Sequence, residues 1–263
     1  MKKDVYSVKK LNETTFLIDE MGRDICYLLL GEEKALLIDC TIGTGDLKAV
    51  VEEITSLPVI LAATHAHTDH LGGAWQFKEA WVHEDDNIFL FRITNSRLYR
   101  NKQLSNRMKK SGISSKDLKG RIWNCKWKSF QSEKVFDLGG RKVTAILTPG
   151  HSPGSCVFID DKEKMMFTGD NTCPFLLMKM AKATTLEKWL EGAEKTLALS
   201  EEYAPWCAHG DGTQSKEQIA HTIELVKEIM KMHPQNEKKS KKAVHPKNSK
   251  GNCVVFDTAK IYE

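Results

Sequence analysis

Residues 64–70 read THAHTDH, directly after the apolar run PVILAA at 58–63. Three histidines and one aspartate crowd the point where a short apolar strand would end. Side chains along an extended chain alternate between two faces, so His65 and His67, separated by the small Ala66, point the same way if the strand continues into the loop. Asp69 and His70 are neighbours and diverge, which suits a second centre beside the first. The stretch therefore reads as part of a metal site carried on the end of a strand.

Working outward, three more positions share this character: His151 in TPGHSPGS, Asp170 in FTGD and His209 in CAHGDG. Each lies in a loop that closes an apolar segment. Zinc favours nitrogen and oxygen donors in a roughly tetrahedral shell, and a catalytic site keeps one position for water. Seven donors in two groups of three, with one shared carboxylate, would leave a bridging hydroxide at that position. The other histidines, His83, His221, His233 and His245, match no such pattern and read as ordinary solvated or hydrogen-bonded residues.

The intervening segments predict an α/β protein. TFLIDE, ICYLLLG and KALLIDC are short, apolar and rich in strand formers, with turn signals between them. Leu47, Val50, Val51 and Ile54 have helical spacing, and Pro58 ends that helix before the strand VILAAT. LGGAWQFKEA and EDDNIFLFRI read as the starts of two further helices, the second running into a basic stretch that reads as an inserted helical or partly flexible cap. Strand signals return in VTAILT, SCVFID and KMMFTG. A strong amphipathic period over 185–199 predicts a helix with Trp189 in the core. YAPWCAHG gives a strand and loop, Lys216 to Lys231 a helix, and NCVVFDTAKIYE a last strand. Gly72, Gly73, Gly150 and Gly154 read as backbone requirements of tight turns. Sheets covered by helices, with the chemistry at strand ends, follow from this order.

THAHTDHLGG, TPGHSPGS, FTGD and the downstream AHG together resemble the metallo-β-lactamase superfamily, and the intact Asp170 motif is most similar to its glyoxalase II-like hydrolases. The resemblance spans Thr15 to Gly212. It implies a four-layer αββα sandwich with a dimetal site at the sheet edge. It also implies that His65, His67 and His151 bind one ion, that Asp69, His70 and His209 bind the other, and that Asp170 bridges them. Asp39, in LLIDC, matches the strand-end aspartate that supports a ligand histidine in that family. Two Zn2+ per chain are implied, with iron or manganese as alternatives. The chain is read as one domain over 1–263, with a basic cap inserted at about 84–130 and a lysine-rich linker at about 234–250 before the C-terminal strand.

Within such a family the residues narrow the chemistry. Flavodiiron-type members carry an acid where this chain has His67, and persulfide dioxygenase-type sites do without the second set that His70 and His209 complete. Hydrolysis is favoured over redox chemistry. β-Lactamases lack the bridging aspartate found here at 170 and ordinarily carry an export signal, whereas MKKDVYSVKK has no apolar segment behind its basic residues. The hydroxide would attack a carbonyl carbon without a side-chain nucleophile, and Asp69 would orient it.

Charge distribution points to the substrate. Between Arg92 and Lys128 there are twelve Lys or Arg and a single acid, Asp117, and residues 238–250 add six lysines and no acid. The rest of a chain whose net charge is +4 is therefore acidic. A basic cap above the metals would draw in a small anionic substrate such as a glutathione or coenzyme A thioester. With Tyr99, Trp123 and Trp127 interleaved it would also stack bases, which keeps a phosphodiesterase or nuclease in play beside a lactonase. An inactive zinc-stabilised binding protein is the non-enzymatic alternative. Seven scattered cysteines without a CxxC pair suit a reducing, cytoplasmic setting, and no apolar run approaches the length of a membrane span.

Overall fold

The computed structural model describes residues 5–86, 125–131, 133–180, 182–233, 242–245 and 251–263. Most of the basic segment 92–128 and of the lysine-rich linker lies outside the described residues. The chain divides into two compact units, one formed by 1–131 with 136–142 and the other by 132–135 with 143–263.

The first unit is built on a seven-stranded sheet whose strands lie side by side in chain order. β1 (Tyr6–Asn12), β2 (Thr15–Glu20), β3 (Asp24–Leu30) and β4 (Ala35–Ile38) are antiparallel. β5 (Val59–Ala62), β6 (Glu79–His83) and β7 (Lys126–Phe130) continue it in parallel. Parallel neighbours need a crossover between them, and α1 (Leu47–Ile54) supplies the one between β4 and β5. Its N-terminus is capped by the Asp46 carboxylate, which accepts from the Ala49 amide at 3.1 Å. Leu47, Val50 and Val51 face a core shared with Ile18, Leu28, Leu37 and Leu61. The consequence for function is geometric. Because β4, β5 and β6 run the same way, Asp39, the 64–70 loop and residues 84–86 all emerge from carboxyl ends of adjacent parallel strands, where open α/β sheets bind ligands.

Two expectations fail in this unit. LGGAWQFKEA does not continue as a helix: α2 (Thr68–Leu71) is a single turn, Ala74–Gln76 is a 3-10 turn, and Glu79–His83 is already strand. The glycines explain the interruption, since a Cβ at Gly72 would lie 2.4 Å from the Ile42 carbonyl oxygen and one at Gly73 would lie 2.4 Å from that of Cys40. They are there for close backbone approach rather than for a tight turn. The C-terminal part of the supposed helical cap is β7, in which Lys128 contacts Glu79 at 2.7 Å and lies over the Trp81 ring. β1 is a strand that composition concealed, its residues being mostly exposed.

A five-stranded sheet in the order β13-β11-β10-β9-β8, most of whose residues belong to the second unit, is formed by β8 (Lys134–Asp137), β9 (Lys142–Leu147), β10 (Cys156–Asp160), β11 (Met165–Phe167) and β13 (Ala204–Trp206). A three-stranded sheet joins β12 (Phe175–Met178) to β15 (Cys253–Asp257) in parallel, and β14 (Lys242–His245) to β15 antiparallel. Thus a strand lies inside the supposed linker. α3 (Leu186–Leu199) and α4 (Lys216–Met232) cover an apolar core with Leu186, Trp189, Ile219, Val226, Val254 and Phe256. Thr185 caps α3 by accepting from the Lys188 amide, and Ser215 with Gln218 forms a reciprocal capping box on α4. Such caps are worth about 1 kcal/mol each.

Candidate metal centre

In the first unit, β5 ends at Ala62 and delivers THAHTDH as foreseen. His65 Nε2 lies 3.0 Å from His67 Nδ1, and the His65 ring centroid is 4.0 Å from that of His70. Two nitrogens each about 2.0–2.1 Å from a tetrahedral ion would be roughly 3.3 Å apart, so the observed spacing fits a shared cation. Asp69 Oδ1 stands 4.0 Å from His70 Nε2. All four donors of the stretch therefore gather on one side of the sheet end.

What holds them is mostly distant in sequence. His70 directs Nδ1 to the Asp39 carboxylate at 2.8 Å, which leaves Nε2 as the atom that could bind an ion. The same carboxylate accepts from the Thr64 amide at 2.7 Å and from the Thr64 hydroxyl at 2.9 Å, so it fixes the start of the loop as well. Asp39 is buried and has φ 62, a left-handed backbone that aspartate adopts more readily than most residues. Asp86, just past β6, accepts from the Ala66 amide at 2.5 Å and so ties down the residue between His65 and His67. Sequence reasoning missed Asp86. Its signal was present, as an acid run after the strand EAWVH.

The second unit gathers His151, Asp170 and His209. His209 Nε2 is 3.0 Å from Asp170 Oδ1, and His151 Nε2 is 3.6 Å from Asp170 Oδ2. One carboxylate thus faces two imidazoles, each with the nitrogen that would ligate. His151 Nδ1 lies 2.7 Å from the carbonyl oxygen of Leu177 on β12, which fixes that ring as it must be fixed to bind through Nε2. Leu177 is in register with Val255, so the C-terminal strand braces this histidine.

Asn171 is the keystone of these loops. Its Oδ1 accepts from the His151 amide at 3.0 Å, its Nδ2 donates to the Thr148 carbonyl at 2.8 Å, and its own carbonyl accepts from the Trp189 indole at 2.6 Å. Trp189 is core, as its helical period predicts, and it also positions the loop that carries Asp170. A Cβ on Gly150 would meet Asn171 Oδ1 and Trp189 Cδ1 at 2.4 Å, so that glycine too is a packing requirement. Gln214 links the other pair of loops: its amide donates to the Thr172 carbonyl, while its Oε1 accepts from the Thr168 hydroxyl at 2.9 Å. Neither Asn171 nor Gln214 bears a motif that would single it out in sequence.

The thiols are all buried and unbridged. Burial pushes Cys26 and Cys40 well above the ordinary thiol range, which makes them inert core residues. Hydrogen bonding to Cys207 raises Cys173, and the same contact lowers Cys207.

Over residues 25–85 the chain matches the model of the metallo-β-lactamase superfamily. A metallo-β-lactamase from Pontibacter korlensis superposes with a TM-score of 0.60 at 17% identity, covering 83% of this chain and 97% of that one. This is a metallo-β-lactamase-fold protein. A metallo-β-lactamase superfamily protein from the archaeon Sulfolobus tokodaii has the same fold, with a TM-score of 0.57 at 18% identity over 82% of this chain and 84% of that one. Curated relatives of this metallo-β-lactamase-fold chain include an acyl-coenzyme A thioesterase of Homo sapiens, 27% identical over 63% of this chain and 66% of the relative. A hydroxyacylglutathione hydrolase of Haemophilus influenzae is 30% identical over 55% of this chain and 65% of the relative. The chain thus spans just under two thirds of the length of these relatives. Among the described residues no helix is long and apolar enough to cross a membrane.

Proposed function

We propose that this chain is a metal-dependent hydrolase of small anionic thioesters. In this reading His65, His67 and His151 hold one zinc ion, Asp69, His70 and His209 hold a second, and Asp170 bridges them. The observation that carries it is the way the buried imidazoles are prepared. His70 and His151 each commit Nδ1 to a protein oxygen and keep Nε2 for an ion, the arrangement expected of metal-ligating histidines. Asp170, with one carboxylate facing two imidazoles, has the donor chemistry of a bridge.

Two bound ions would supply an activated water at neutral pH and polarise the scissile carbonyl. The chain's own contribution is to hold the donors still: Asp39, Asp86 and Asn171 fix the loops, and Asp69 would orient the attacking water. A carbonyl substrate with a thiolate leaving group needs no side-chain nucleophile. The thioester class is favoured because one relative is named an acyl-coenzyme A thioesterase and another a hydroxyacylglutathione hydrolase, and acyl-coenzyme A and S-acylglutathiones are both thioesters. A cytoplasmic setting suits seven buried thiols without a disulfide.

The test is a substrate panel on the purified chain: acyl-coenzyme A thioesters, S-acylglutathiones, a lactone and a phosphodiester. Thioester cleavage that a chelator abolishes and zinc restores is expected. Cleavage of the phosphodiester alone would move the chain to the nuclease reading, and a metal-loaded protein inert to all four would make it a binding protein.

A further inference from the structure

Glu20 ends β2 with its side chain completely buried. Its carboxylate accepts from four donors of one loop. The amides of Gly43 and Thr44 donate at 3.0 and 2.7 Å, and the hydroxyls of Thr41 and Thr44 add two more bonds. That loop begins at Asp39, the residue that orients His70. It is also strained: Asp39 has φ 62, Thr41 φ 56 and Gly43 φ 70. For a β-branched residue such as Thr41 a positive φ is a genuine outlier, and it persists only where the surroundings impose it.

The loop is docked on the ligand turn as well. The Cys40 amide donates to the His70 carbonyl at 2.7 Å, the Gly73 amide donates to the Thr41 carbonyl at 3.2 Å, and a Cβ on Gly43 would lie 2.4 Å from the Gly73 Cα. A four-donor buried carboxylate spanning two strand ends is an expensive device for a loop of no consequence, since each donor left unmatched would carry a desolvation cost.

We propose that Glu20 is a positioning residue for the metal site: it holds the strained 39–44 loop so that Asp39 keeps His70 in the Nδ1–H form with Nε2 directed at the ion. This rests on the metal-binding reading of His70 given above. The test compares the full chain with its Glu20→Gln and Thr44→Val variants. Three quantities are read: zinc affinity by competition with a chelating dye, the tautomer of His70 in metal-free protein by long-range nitrogen–proton NMR, and the thermal midpoint.

Glu20→Gln should weaken zinc binding by about 10–100-fold, the usual effect of removing a group that orients a metal ligand, and should mix the His70 tautomers. Thr44→Val, which removes one donor and keeps the carboxylate, should do the same to a smaller degree than Glu20→Gln. A lowered midpoint with wild-type zinc affinity and a single His70 tautomer would make Glu20 merely structural and overturn the proposal. Should Glu20→Gln fail to fold, Thr44→Val decides by the same two readouts. A wild-type chain that binds no zinc would instead strike the metal reading, and the tautomer in metal-free protein would still decide the role of Glu20.

Discussion

The two units arrive at similar chemistry by opposite routes. In the first, one loop of seven residues supplies four candidate ligands, and parallel strands β4, β5 and β6 bring Asp39 and Asp86 in beside it. In the second, three candidate ligands come from three loops spread between residues 151 and 209, and Asn171, Trp189, Gln214 and the Leu177 carbonyl help to hold those loops. A cluster carried on one loop depends on that loop and on the few groups that pin it, here Asp39 and Asp86. A dispersed cluster depends on the packing of the whole unit, so its failures should show as loss of fold before loss of chemistry.

Trp189→Ala offers the severest way to break the comparison. Truncating a fully buried tryptophan costs about 3–5 kcal/mol, and the Asn171 carbonyl would lose its donor besides. Chemical denaturation should show the loss. If the melt were unchanged while metal binding collapsed, the second unit would not be the packing-dependent one. His67→Ala should do the reverse, keeping the fold while lowering thioester kcat/KM by more than ~100-fold, because a ligand matters more than a group that merely orients one. Retained activity in that variant would remove His67 from the site. Asp39→Asn is expected to cost about 10–100-fold in metal affinity, since an amide no longer favours the Nδ1–H form of His70 so strongly.

Gly150→Ala sharpens the contrast at lower amplitude. The added methyl group would press on Asn171 and Trp189 and should cost about 1–3 kcal/mol in a denaturant titration. Least affected is Lys227→Ala, which breaks a half-exposed pair with Glu194 and should change stability by under ~1 kcal/mol.

The same contrast explains what could be read from sequence. The HxHxDH stretch is self-announcing because its spacing is its geometry, and α3 was legible through its apolar period. The supporting groups were not. Asp86, Asn171, Gln214 and Glu20 act through backbone amides and hydroxyls brought close only by folding, and no spacing rule marks them. Trp189 was legible as core, while its indole bond to the Asn171 carbonyl was not. The helix expected after His70 failed for a related reason: Gly72 and Gly73 answer to carbonyls of the 40–42 loop, a constraint from outside their own segment. β12 and β14 escaped notice because short strands with few β-branched residues lack a period of their own.

At the centre stands the proposal that this chain holds a pair of metal ions. Elemental analysis of the purified full chain, beside its Asp170→Asn variant, tests it most directly. The account predicts about two zinc ions per wild-type chain, as two-metal hydrolytic sites require, and a clear loss in the variant. A wild-type chain with no bound metal, or with a single ion that Asp170→Asn leaves in place, would contradict it.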